Sequence, residues 1–389
     1  MEKTKIKHDI LIYPLLAVAL AIRFLINILA GNVMISDEIY YVTASNSLLH
    51  GVGANFEHPP LVKLIIAGAI SVLGNNWIAW RLPIIIFSVV ALFFTYKIGK
   101  TFLTENQAVF ATALMSTSLI FFLIGSIGML DIPMIAFSLA GIYFIIKQRY
   151  LYASAMFAVS FLCKETAIVY AGTALIYLLI KHVSWRKIFP ATIAFTTIVL
   201  VGLGIYDFFY PQTVYGITIT NPIQQAAAII LYQFRLNSGR ILNPIPAYPP
   251  IGWVTPFGLN ALNPQLWAIG YSGKQTIVQW LMQPNPFIEY TMFPLLFALA
   301  YLYRKTKQNI PLLLWLTLAF TYLPWLVAGI FFKVESPFYI YSSVPFLALG
   351  TTYMLTRIKN KRTRRTAMLL YFTASLTFFI YFFPLNFWR

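Results

Sequence analysis

S-D-E-I-Y-Y-V-T-A-S-N-S-L-L-H-G-V-G-A-N-F-E-H-P-P-L-V-K, residues 36–63, gathers three carboxylates (Asp37, Glu38, Glu57), two histidines (His50, His58) and a lysine (Lys63) into one stretch of a chain that is only 10% charged. Apolar segments flank it on both sides. Ionisable residues are costly in lipid and useful in proton transfer, so their concentration between apolar runs marks where the chain surfaces and where chemistry is to be sought.

Working outward, 59% of the residues are hydrophobic, Phe and Tyr alone number 33 and 24, and the mean hydropathy is +0.74. A soluble domain of 389 residues cannot bury that much apolar surface. The reading is an all-α polytopic membrane protein, a single transmembrane domain over 1–389. Apolar runs of about 15 to 25 residues lie near 10–30, 82–103, 107–126, 133–147, 150–163, 167–180, 188–209, 286–303, 310–331, 337–356 and 366–386, which makes about 11 spans.

The net charge of +17 would suggest nucleic acid in a soluble protein, but its distribution excludes that partner. Of 28 Lys and Arg, 19 fall on one side of the predicted spans: Lys3, Lys5 and Lys7, Lys97 and Lys100, Lys147 and Arg149, Lys181 to Lys187, Arg304 to Lys307, and the run Arg357 to Arg365. The positive-inside rule makes that side cytoplasmic, with the amino terminus on it. Of the 11 carboxylates, 8 map to the other side: Asp37, Glu38, Glu57, Asp131, Glu165, Asp207, Glu289 and Glu335. The active face is therefore expected to be external, on a multi-pass protein of the cell membrane. The first run carries Arg23 and no small-residue cleavage site before Asp37, so it reads as a retained helix. Cys163 is the single cysteine, which excludes an intramolecular disulfide.

Residues 31–81 read as a first external loop. Within it Leu61 to Gly74 is too short to cross a bilayer comfortably and reads as an interfacial helix, followed by Trp77 and Trp80 at the membrane boundary. Residues 210–285 form a second, longer external region, dense in Asn-Pro steps, with a short helix near 222–236.

The order D-E (37–38), E-H-P-P-L-V-K (57–63), W-R-L-P (80–83), L-D-I-P (130–133) and C-K-E-T (163–166) resembles the GT-C class of membrane glycosyltransferases, and within it the protein O-mannosyltransferases. N-P-Q-L-W (263–267) and P-F-Y-I-Y-S-S-V-P-F-L (337–347) look like that group's distal motifs. The lipid A aminoarabinose transferases share the architecture but usually carry a lysine where His58 stands. The chain departs from eukaryotic members in having no sizeable soluble insert in the long external region. The resemblance implies transfer of a sugar, mannose first, with inversion, from a dolichyl- or polyprenyl-phosphate carrier to an acceptor hydroxyl on protein Ser or Thr. A lipid or glycan acceptor is the alternative within the class. Membrane lipid, the lipid-linked donor and the acceptor are the implied partners, and a dimer is one assembly open to such a chain.

That chemistry suits the residues. Asp37 is the expected general base for the acceptor hydroxyl, with Glu38 orienting it or holding the acceptor; Asp37 as a plain helix cap is the competing reading. Arg81, Lys63, His58 and Lys164 are the cations available to a departing phosphate, Arg81 by a bidentate grip. Glu57, Asp131 and Glu165 complete the expected substrate site, and Lys164 pairing with Asp131 or Glu165 is the structural alternative. The histidine and carboxylate spacings fit no zinc motif, so no metal is expected. A transporter or flippase is the competing class, but it should carry charge at the midplane and related halves, whereas here the charge crowds one face.

Overall fold

The computed structural model describes residues 10–214, 217–219, 221–242, 268–272, 278–331 and 337–385. Lys3, Lys5, Lys7, Lys333, Glu335 and the Asn-Pro motifs within 243–267 lie outside them.

Every apolar run read from the sequence is helical. The chain opens with α1 (Ile12–Ala30), then α2 (Glu38–Leu49) and α3 (Leu61–Leu73) from the charged stretch, then α4 (Trp77–Gly99). There follow α5 (Glu105–Ser116), α6 (Leu119–Ile124), α7 (Asp131–Ile146), α8 (Tyr150–Cys163), α9 (Ile168–Ile180) and α10 (Trp185–Phe209). Beyond a two-stranded antiparallel ribbon, β1 (Gln212–Val214) and β2 (Ile217–Ile219), comes α11 (Pro222–Leu242). A second ribbon, β3 (Ala268–Ser272) with β4 (Val278–Leu281), leads to α12 (Met292–Thr306), α13 (Asn309–Phe331), α14 (Val344–Thr356) and α15 (Lys361–Tyr381).

Among the described residues, four helices are long and apolar enough to cross a membrane: Ile12–Ala30, Trp77–Gly99, Trp185–Phe209 and Asn309–Val327. Only 17% of the apolar window of α10 is covered by protein. Phe189, Val201 and Phe208 on it are exposed, as lipid-facing side chains are. The run 107–126 is not one helix. Thr117 and Ser118 break it into α5 and α6, and the Ser118 hydroxyl accepts from Phe121 N at 3.2 Å to start the second piece.

Local chemistry fixes the helix ends. Asn76, in N-N-W, caps α4 by accepting from Ile78 N at 2.9 Å, and Asn360 caps α15 by accepting from Arg362 N at 2.9 Å. At the centre, α7 packs against α4 on one side and α8 on the other. Most of α7 is buried, which makes it the axis on which Asp131 is mounted.

The α7–α8 seam is tight because Gly141 lets the helices meet. A methyl group added there would come within 2.5 Å of the Phe157 ring. Gly141→Ala should cost about 1–3 kcal/mol by overpacking, read as a lower melting temperature in detergent. Gly172→Ala on α9, where nothing lies within 4 Å, should be neutral or slightly stabilising. Equal behaviour of the two variants would remove the seam as a close contact.

Candidate active site

The turn between α1 and α2 is the first element of the site. Ser36 adopts φ 54°, the left-handed region that a non-glycine residue enters only where its surroundings enforce it. What enforces it is Glu38, whose side chain is fully buried. Its Oε1 accepts from Arg81 Nε at 2.8 Å and Gly128 N at 2.7 Å, and its Oε2 accepts from Arg81 Nη2 at 2.7 Å and Ile35 N at 3.0 Å. Both carboxylate oxygens are thus doubly occupied.

Arg81 is saturated in the same way. Beyond Glu38, its Nη1 donates to Asn27 Oδ1 at 3.0 Å and Gly31 O at 3.1 Å, and its Nη2 donates to Val33 O. Five N–H groups have five acceptors, and the side chain is wholly buried. Every N–H of Arg81 is thus committed to a protein acceptor, and the Glu38–Arg81 pair ties α1, α2 and α4 together. Asn27 extends that framework by donating from Nδ2 to Ser126 O at 2.8 Å, tying α1 to the turn that precedes α7.

Lys63 follows the same pattern. It is buried and donates to Asn55 O, to Asn55 Oδ1 at 3.2 Å and to His58 O at 2.8 Å. The three ammonium hydrogens clamp the loop between α2 and α3, where Asn55 itself has φ 56°. Glu57, half-buried in that loop, lies within electrostatic reach of Lys63.

The remaining candidates meet in one cluster. Lys164 Nζ donates to Asp131 Oδ1 at 2.6 Å, both groups being buried. His58 Nδ1 lies 2.9 Å from Glu165 Oε2, and because a carboxylate only accepts, the imidazole carries its proton on Nδ1. Burial pushes the Glu165 carboxyl up, but His58 and then Lys164 hold it below its ordinary value, so it is charged at neutral pH. Tyr41, one turn along α2 from Asp37, is in electrostatic reach of Asp37, Asp131 and Glu165 together. Its ring stands edge-on to His58 at 5.8 Å. Asp37 occupies the N-cap position of α2 without making a side-chain cap bond, and it is only half-buried. Arg23 is not part of this group. Buried in α1, its guanidinium donates to Ala19 O at 3.1 Å and lies 4.8 Å over Phe122.

Sequence reasoning missed Tyr41, Asn27, Gly128, Tyr339 and Tyr341. Tyr41 lies in the charged stretch 36–63 and Tyr339 and Tyr341 in the motif 337–347, but nothing there separates them from the neighbouring aromatics, while Asn27 falls inside an apolar run, where a polar residue is a usable signal. Among the described residues no group of His, Cys, Asp or Glu could hold a metal ion.

Comparison with known proteins follows from this geometry. Residues 57–206 match the model of the dolichyl-phosphate-mannose-protein mannosyltransferase family. The matched segment holds Glu57, His58, Lys63, Arg81, Asp131, Lys164 and Glu165, and begins after Asp37 and Glu38. No curated protein sequence matches. Among solved structures, the chain is similar to the S. cerevisiae protein O-mannosyltransferase Pmt1-Pmt2 complex bound to the sugar donor. The TM-score is 0.72 and the identity 10%, over 97% of this chain and 90% of that one. It is also similar to ArnT from Cupriavidus metallidurans in the apo state (TM-score 0.58, 13% identity, 92% of this chain and 61% of that one). A third is the archaeal oligosaccharyltransferase AglB from Archaeoglobus fulgidus in complex with an inhibitory peptide and a dolichol-phosphate (0.59, 11%, 95% and 55%). The chain thus spans under two thirds of the length of the ArnT and AglB structures, and nearly all of the yeast chain.

The Glu38–Arg81 pair generates a direct test. Arg81→Ala leaves a buried carboxylate unpaired and should cost about 3–5 kcal/mol. Arg81→Lys should recover little of it, since one ammonium cannot meet five divergent acceptors. Melting temperatures for the single variants and for Arg81→Met with Glu38→Gln give the coupling. Additive losses would show that the two residues are not a unit.

Proposed function

We propose that this chain, a membrane protein of the GT-C fold that is protein O-mannosyltransferase-like, transfers a sugar from a polyprenyl- or dolichyl-phosphate carrier to an acceptor hydroxyl with inversion. Mannose as the sugar and protein Ser or Thr as the acceptor are the specific form of the reading. The observation that carries it is the placement of Asp37, at the N-cap of α2 without a side-chain cap bond and half-open to water, near a cluster in which Lys164 pairs with Asp131 and His58 with Glu165.

The steps follow from these groups. Asp37 takes the proton of the acceptor hydroxyl, whose oxygen attacks the anomeric carbon from the face opposite the phosphate. The glycosidic C–O bond breaks and its electron pair leaves on the lipid phosphate. Lys164 and His58 meet the growing negative charge. Asp131 and Glu165 keep the two cations in place and accept from sugar hydroxyls. Ser36, Glu38 and Arg81 fix where Asp37 points; they position the base and touch no substrate. The residues expected at the phosphate from sequence thereby divide into a framework pair, Arg81 and Lys63, and a reactive pair, Lys164 and His58.

The same reading places the cluster at the non-cytoplasmic face of the cell membrane, because the basic residues crowd the opposite loops. It includes about 11 spans with α3 at the interface, the loops 31–81 and 210–285 as external regions, no metal, and a dimer by analogy with the two-subunit yeast complex.

Purified protein incubated with polyprenyl-phosphate sugars and a panel of peptides, lipids and glycans tests the reading, since a transferase turns over in detergent while a carrier does not. Asp37→Asn should lower transfer by about 10²–10⁴-fold with expression and melting temperature unchanged. Near-normal turnover in that variant would remove Asp37 as the base.

A further inference from the structure

The charged cluster explains how a phosphate and a hydroxyl are handled, but charge alone gives no purchase on the apolar face of a sugar ring. That face is a sheet of C–H bonds, and its natural partner is the electron-rich face of an aromatic ring. Next to the cluster stands such a surface.

Trp325, on α13 directly after the helix-interrupting Pro324, and Tyr339, in the 3-10 turn Pro337–Ser342, lie ring on ring with centroids 4.1 Å apart and planes inclined by 22°. Their neighbours Tyr322 and Tyr341 are sealed, at 0% and 1% exposure, whereas Trp325 and Tyr339 are only half-buried. The pair therefore keeps aromatic surface open. Three relations put it near the charges. Trp325 lines a small closed cavity together with Thr166, the residue after Glu165, and with Tyr341. The Lys164 ammonium stands 6.0 Å over the Tyr341 ring. Tyr339 is within electrostatic reach of both Lys164 and Tyr41.

We propose that the stacked Trp325–Tyr339 pair is the platform for the pyranose ring of the lipid-phosphate sugar, with Asp131, Glu165 and the Tyr41 hydroxyl as hydrogen-bonding partners around the ring edge. The proposal rests on the transferase reading and adds the part of the site that recognises sugar as distinct from lipid phosphate. A carrier's aliphatic tail calls for a different lining. Such a lining exists in the groove of about 290 Å³ between α8, α9 and α10, walled by Ile168, Ala171, Leu175, Ile188 and Phe195. A flat aromatic pair bordered by carboxylates suits a ring that is apolar on its face and hydroxylated at its rim.

The test compares two ligands on full-length protein in nanodiscs: a polyprenyl-phosphate hexose and the same polyprenyl phosphate without sugar. Trp325→Ala and Tyr339→Leu should weaken the sugar-bearing ligand by about tenfold, the scale of one aromatic contact, and leave the bare phosphate unchanged. Trp325→Phe and Tyr339→Phe keep a ring and should retain most of the affinity, which separates lost stacking from lost folding. Lys164→Met should weaken both ligands alike. A loss from Trp325→Ala that is equal for the two ligands, or no loss, overturns the platform. So does a wild-type protein that binds the two equally. A wild-type protein that discriminates between them yet transfers nothing to any acceptor leaves the platform standing and overturns the transferase reading instead.

Discussion

The buried pair of Glu38 and Arg81 is the interaction on which the rest of the site depends. Two charges removed from water are tolerated only when every lone pair and every N–H is met. Here the four acceptances of Glu38 and the five donations of Arg81 come from α1, the turn after it, α2, α4 and the Gly128 turn. One ion pair therefore fixes the relative positions of five segments that the sequence scatters over about a hundred residues. Asp37 precedes Glu38, and Asp131 follows Gly128 by three residues, so holding this pair also holds the segments that carry Asp37 and Asp131.

Charge in the site is sorted by its surroundings. Arg81 and Lys63 are saturated by protein oxygens, half of them backbone carbonyls, and serve as clamps on the α1–α2 and α2–α3 connections. Lys164 and His58 instead pair with carboxylates, Lys164 with Asp131 and His58 with Glu165. A guanidinium offers five donors in a rigid fork and an ammonium three that rotate, which suits the first to bolting several chains together. A further buried cation, Arg23, is met by aromatic faces, so the helix that carries it packs against α6 without a counter-ion among the described residues.

Much of this was legible in the sequence. Each apolar run is helical, 107–126 in two pieces, because a chain in lipid must satisfy its backbone internally. Asp131 opens α7 just before the apolar run 133–147, and Lys164 pairs with Asp131, one of the two alternatives. The α5–α6 break was not legible, since Thr and Ser interrupt helices only when a cap is made. Nor was the partner of Glu38 foreseeable: adjacent acids leave a helix about 100° apart, and only the packing decides which of them turns inward.

Composition, the sidedness of Lys and Arg, and the clustering of carboxylates determined by themselves that this is a helical membrane protein with its ionisable residues gathered in a few short segments, because the bilayer penalises stray charge and the cytoplasmic face collects basic residues. The tertiary structure alone decided which partner each buried charge takes: Glu38 closes on Arg81 and Lys164 on Asp131. Those pairings join distant segments, and no spacing along the chain carries them.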